Sequence, residues 1–315
     1  MSKLASRIKS LEKNEDVQKK VNRMCGAILG SIYAHAKSKQ DFNPEKDHIV
    51  EQAILLLEEC KESKMTDYEG FGANPSFLKG AFIVNDIDPS FKEFLTNGGN
   101  PSDYDLTGPD YYITLPFCAL FKIPINTALI KVQLSHTSPT ALFNTIVIVT
   151  LINCLIKTDL YDLDLKTMLA RLDETILPAY SKYLIDMLEA KAKSTPNLGD
   201  TAKMRLSTKI HRVREEAEKM SQILKANIKK IDSVEATQTT ENDVDKLLSF
   251  IVYHHRFHEA IDLDELKLEY PSSIVFGSVV GAIIGFTHLP KNWKHSIPSI
   301  LEHHFEDEII AVLDA

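Results

Sequence analysis

The sequence predicts an all-α protein, and three observations carry that expectation. Apolar residues recur at three- and four-residue steps, as in Val17, Val21, Met24, Ile28, Leu29 and Ile32, which is the period of an amphipathic helix. Glycine and proline number only 12 and 13 in 315 residues, too few for the many turns of a β sandwich or barrel. No stretch alternates convincingly over six residues, and residues 111–115 are the best strand candidate.

In chain order, residues 1–15 read as an N-terminal extension and 16–315 as one compact domain of ten or more helices. Residues 16–37 form the first amphipathic helix. Residues 48–60, with Ala53, Ile54, Leu56 and Leu57 on one side, form the second. Clusters of glycine, proline, asparagine and aspartate make residues 71–110 loop-rich, with one short helix near 89–95. Ser138-Pro139 has the form of a helix start, an N-cap side chain followed by proline at the first helical position. The uncharged run 141–156 that follows is long enough to suggest a membrane span. Its Asn144 and Asn153 and its isolation favour a buried helix of a soluble protein. Residues 163–193 read as helix in two pieces with a break near Pro178.

Two short stretches bracket the chain. Gly26, Gly30 and Ala34 place small residues four apart on one apolar helix, and Ser278, Gly281 and Gly285 do nearly the same on another. Glycine costs a helix roughly 1 kcal/mol relative to alanine. Repeated glycine therefore points to close helix–helix approach.

A net charge of −8 and a pI near 5.8 argue against general binding to nucleic acid or anionic membranes. Cys25, Cys60, Cys118 and Cys154 are widely spaced with no CxxC pair, so neither a disulfide framework nor a zinc site is expected. The first residues hold no continuous apolar run of a signal peptide. An intracellular, soluble protein is the plain expectation.

A long charged helix at about 202–231 differs in character. Leu206, Ile210, Val213, Ala217, Met220 and Leu224 alternate four and three apart, the spacing of a coiled-coil seam, interrupted at Asn227 and resuming at Ile231. Basic residues crowd its flanks. It reads as a helix packed by a narrow stripe, or as a surface for a protein partner. Residues 234–243 read as a surface loop.

In their order these stretches resemble the ADP-ribosylglycohydrolase family. That family's first helix ends in Gly-Asp-Ala, and here Ala34-His35-Ala36 stands in its place. Asp47-His48-Ile49 falls on the family's Thr-Asp-Asp helix start. Gly108-Pro-Asp-Tyr-Tyr-Ile-Thr-Leu-Pro116 takes the position of an Asn-Gly loop and the apolar stretch after it. Ser135-His136-Thr137-Ser138-Pro139 matches a Thr-His-x-x-Pro turn. The close is Tyr270-Pro-Ser-Ser-Ile274, Gly281-Ala-Ile-Ile-Gly285 and Pro290-Lys-Asn-Trp293. The resemblance covers residues 20–295. It implies a compact helical bundle and hydrolysis of ADP-ribose from modified protein side chains, with ADP-ribose or an ADP-ribosylated protein as partner.

The residues argue against that activity. The family holds two magnesium ions between an Asp-Asp pair and an Asp-x-Asp pair, and magnesium requires oxygen ligands, chiefly carboxylates. The first pair is reduced to Asp47, beside His48 and Ile49. At the second stand Ser272 and Ile274, or Tyr270 and Ser272, with only Glu269 nearby. Neither a metal site nor any cofactor is therefore expected. His35 and His48 suit a transition metal but lack a third ligand. His254, His255 and His258 lack the glutamate of a zinc protease and read as solvated or pH-sensitive groups, and His303 and His304, beside Glu306, Asp307 and Glu308, as a charged C-terminal helix face. GxSxG, GxxxxGK[ST] and GxGxxG motifs are absent.

Two functional readings follow: a glycohydrolase with impaired or lost catalysis, or a non-catalytic relative that binds ADP-ribose or a protein. If the resemblance holds, the two glycine-bearing helices pack together beside the 139–156 helix. His35, Asp47, His48, Ser272 and Ser273 then converge on one cleft, with Thr107, Gly108 and Asp110 at its edge.

Overall fold

A computed structural model describes residues 2–10, 15–62, 75, 78, 89–97, 108–121, 123–194, 199–232, 242–258, 261 and 272–314. Its helices are α1 (Lys3–Ser10), α2 (Glu15–Ser38), α3 (His48–Glu62), α4 (Pro89–Asn97), α5 (Leu115–Cys118), α6 (Pro124–Gln133) and α7 (Pro139–Lys157). They continue with α8 (Leu165–Arg171), α9 (Leu177–Ser194), α10 (Asp200–Asp232), α11 (Asp243–Phe257), α12 (Ser272–Ile284), α13 (Lys291–Lys294) and α14 (Ser299–Asp314). No strand occurs among the described residues. The protein is all-α.

Residues 111–115, the strand candidate, are instead a 3-10 turn, Asp110–Thr114, running into α5. Tyr111, Tyr112, Ile113 and Leu115 are all buried. A short run buried on every side has no readable period. Pro116 in the first turn of α5 presets a helical φ.

The contacts divide the chain into two units, 1–163 with 260–315, and 164–259. In the first unit, α2 and α12 run antiparallel with their backbones touching. A Cβ at Gly26 would strike the carbonyl oxygen of Gly281, and one at Gly30 that of Gly277. The second stripe of small residues is thus Gly277, Gly281 and Gly285, with Gly277 where the sequence reading placed Ser278. Gly285 closes α12 at φ +79°, a backbone conformation open to glycine.

Helix α7 packs on α2, α6 and α12. The Ser138 hydroxyl caps it by accepting from Ala141 N–H (3.2 Å). It is long and apolar enough to cross a membrane, and 72% of its most apolar window is buried in the protein. Within residues 1–15, α1 docks on α14 through buried Leu4 and Ile8. Lys3 and Arg7 pair with Asp307 and Asp314.

In the second unit α8 and α9 join through a π turn, Leu172–Ile176. The expected break at Pro178 is therefore a widened turn in a continuous helical run. Proline lacks an N–H and clashes with the carbonyl four residues back, and one extra residue relieves both. Helix α10, 33 residues long, packs on α8, α9, α11 and the π turn, with Val213, Met220 and Leu224 buried. The interruption at Asn227 is where α11 attaches. Asn227 Nδ2 donates to Asp245 Oδ1 (2.8 Å), and Ser249 Oγ to Asn227 Oδ1 (3.3 Å). His254, expected in solvent, is buried with its ring 4.5 Å from that of Phe250. His258 leaves the helix in a left-handed conformation (φ 51°), so it continues no face with His254. The 234–243 loop lies almost wholly outside the described residues, as do most of residues 71–110.

Candidate functional site

The polar cluster of the first unit forms where α2 ends and α3 begins. Asn43 caps a 3-10 turn, Pro44–Lys46, by accepting from Glu45 N–H. That turn returns the chain so that Asp47 meets the last turns of α2. Asp47 Oδ1 accepts from the N–H groups of Ile49 (3.0 Å) and Val50 (3.2 Å). Its carbonyl accepts from Glu51 N–H (3.2 Å). Asp47 is thus the N-cap of α3, whose amide dipoles favour a negative charge there.

His35 Nε2 lies 3.0 Å from both carboxylate oxygens of Asp47, and Lys39 Nζ lies 2.6 Å from Oδ2. His35 and Asp47 are buried, while the Lys39 side chain remains 29% exposed. Burial lowers the pKa of His35; Asp47 opposes this, and Lys39 and His48 add to it. The ring is therefore neutral at neutral pH and donates its Nε2 proton. Burial alone would raise the pKa of Asp47, but its bonds to His35 and Lys39 outweigh that and hold it below the usual carboxylate range.

The other expected site residues are placed unequally. His48 is buried at the first position of α3 and close enough to bias His35. Ser273, in the first turn of α12, is buried and donates to Ser38 Oγ (3.1 Å); Ser38 in turn donates to the carbonyl of His35 (2.7 Å). Hydrogen bonds therefore link His35 to Asp47 directly and, through its backbone carbonyl and Ser38, to Ser273, while buried His48 follows Asp47 in the chain. Ser272 is half-buried at the start of α12. Gly108 leads into the 3-10 turn that packs on α3 and α12. Thr107 and the side chain of Asp110 lie outside the described residues.

Lys39 and Ser38 were missed. Lys39 follows the last residue of α2, and no local signal in the sequence pairs it with Asp47. Missed too was a group around the Ser135–Pro139 turn. There Ser135 Oγ lies 2.7 Å from His136 Nδ1, the Tyr111 and His136 rings stand 5.1 Å apart, and Asn144 Nδ2 donates to the Tyr111 hydroxyl (3.4 Å). Deeper still, buried Lys131 of α6 pairs with buried Glu59 of α3. Cys60 and Cys118 lie within the electrostatic reach of this pair. Burial pushes the Cys60 thiol up, and that of Cys118 up to about 12. Both are protonated and poor nucleophiles.

The chemistry open to this cluster is narrow. A carboxylate offers about four lone-pair sites, and Asp47 already receives an imidazole, an ammonium and two amides. A magnesium ion would have to displace Lys39. Among the described residues, no group of three or more histidine, cysteine or acidic side chains stands close enough to hold a metal ion. Saturated and with a depressed pKa, Asp47 is also a weak general base.

No protein-family model and no curated protein matches the chain.

Proposed function

We propose that this protein is a non-hydrolytic relative of the ADP-ribosylglycohydrolases that binds ADP-ribose, free or on a modified protein, without cleaving it. The observation that carries this reading is the saturation of Asp47, the one carboxylate left at the positions of the family's first aspartate pair. Its oxygens serve a helix cap, His35 and Lys39. Where the family would hold a divalent cation, an internal ion pair stands.

Two features support the lineage: the glycine-to-glycine approach of α2 and α12, and the capped apolar helix α7 packed beside both. Binding without metal is chemically sound, because amides at a helix N-terminus hold phosphate oxygens unaided. Ser272 and Ser273 open α12, a helix that packs on the 3-10 turn following Gly108.

The test has two arms. Incubation with an ADP-ribosylated peptide and magnesium is expected to release no ADP-ribose. Calorimetric titration of ADP-ribose without metal is expected to give saturable heat. Release that a chelator abolishes would overturn the reading.

A further inference from the structure

The paired stretch of α9 with the first half of α10 carries charge opposite to that of the whole chain. Residues 177–214 hold eight lysines and arginines against three acidic residues, while the full chain has 36 against 44. Internal ion pairs absorb little of this charge. Lys203 has one long contact, 3.7 Å, to exposed Asp200. No carboxylate among the described residues comes within 4.0 Å of Lys182, Arg205, Lys209, Arg212 or Arg214.

The hairpin has two flanks of different chemistry. On one, a groove of about 550 Å³ is lined by Glu189 and Ala192 of α9 and by Lys203, Ser207, His211 and Arg214 of α10. That flank contains its own acid, and Glu215 lies 3.3 Å from His211. The helical period then places a second set on the opposite flank. Arg205, Lys209 and Arg212 stand at i, i+4, i+7 along α10, all exposed. On α9, which pairs with α10, the same period sets Tyr180, Tyr183 and Met187 on the flank turned away from Glu189 and Ala192, with Tyr183 55% and Met187 44% exposed. Two acids adjoin this set: Glu216 of α10, engaged by Lys219 at 2.6 Å, and exposed Asp186, beside Met187 on α9.

We propose that this Tyr183–Met187–Arg205–Lys209–Arg212 face docks a short acidic segment of a partner protein. Tyrosine, methionine and arginine are the side chains enriched at protein interfaces. Arginine forks match carboxylates in pairs, and the unpaired cations supply charge complementarity. The basic row spans roughly 10 Å along α10, the length of two helical turns of a ligand. A nucleic-acid strand would continue past this row along a chain with a net charge of −8, whereas a short peptide ends within it. The face shares no residue with the Asp47 cluster, so the two proposals stand or fall separately.

The test uses the full chain and a short fluorescein-labelled synthetic peptide of glutamate, aspartate, leucine and phenylalanine, read by anisotropy. Saturable binding is expected. R205E/R212E should weaken it by about tenfold or more, and Y183A/M187A should weaken it as well. K203E/R214E, an equal charge reversal on the grooved flank, should change it by less than about threefold. All these side chains are exposed, and circular dichroism verifies that each variant is folded. No binding, or equal loss from both charge reversals, overturns the proposal. So does tighter binding of oligothymidylate or of phosphatidylserine vesicles. Sedimentation showing self-association that R205E/R212E abolishes overturns it too, by making a second copy the occupant.

Discussion

The carbonyl oxygen of Gly281 occupies the space that a side chain on Gly26 would fill. The reciprocal contact holds as well, so α2 and α12 meet backbone to backbone. Such an approach buries helix surface without side-chain entropy, and it tolerates no added carbon.

Gly26→Ala and Gly281→Ala are therefore expected to destabilise the first unit by about 1–3 kcal/mol each, the cost of overpacking against backbone. In an open helix the same change would stabilise by up to about 1 kcal/mol through helix propensity. Urea unfolding followed by circular dichroism reads the sign. A gain in stability would show that the helices do not touch.

Acid should weaken the protein in two steps. The His35 pKa is lowered on folding, so the unfolded chain takes up the proton first. Stability contributed there is complete above the unfolded value near 6.5 and declines as pH falls below it. Asp47 is likewise held low, so its contribution is present above the ordinary carboxylate value of about 4 and is lost as pH drops through and below it. His35→Gln should flatten the urea midpoint between about pH 7 and 5. Asp47→Asn, which keeps a capping oxygen, should flatten it below about pH 4.5. Midpoints measured from pH 7 to pH 3 distinguish the two.

Lys131 and Glu59 make a different prediction because both are enclosed. Lys131→Met leaves a buried carboxylate without its partner and should cost about 3–5 kcal/mol. Lys131→Met with Glu59→Leu removes both charges and should recover most of that loss. If the double variant is no better than the single, the pair contributes more than charge neutrality.

Much of the fold was legible because it rests on local rules. The period of Val17 to Ile32, the Ser138-Pro139 start and the glycine spacing each announced an element whose form depends on near neighbours. Where those rules failed, the neighbours lay elsewhere in the chain. Residues 111–115 show no readable period because the surrounding helices bury every side of a 3-10 turn, Thr114 included. Asn227 broke the seam of α10 in sequence, yet it is satisfied by Asp245 and Ser249 of α11. In the candidate site, His35, Asp47 and His48 could be named from the resemblance alone. Lys39 could not, since nothing local says that a lysine near a helix end will meet a carboxylate eight residues on.

The sequence by itself determined the all-α class, the approach of two glycine-bearing helices and the scarcity of carboxylates at the expected metal positions. Each follows from residue type and spacing, which act within a turn or two of helix. Only the tertiary structure decided what the remaining carboxylate does. The chain reversal at Pro44–Lys46 brings Asp47 under His35 and Lys39, and a buried carboxylate takes the nearest donors that satisfy its charge. The tertiary structure likewise decided that the seam of α10 is covered by α8, α9 and α11. That packing leaves Arg205, Lys209 and Arg212 on an outer flank because helices pair through their apolar stripes and turn their charges to water.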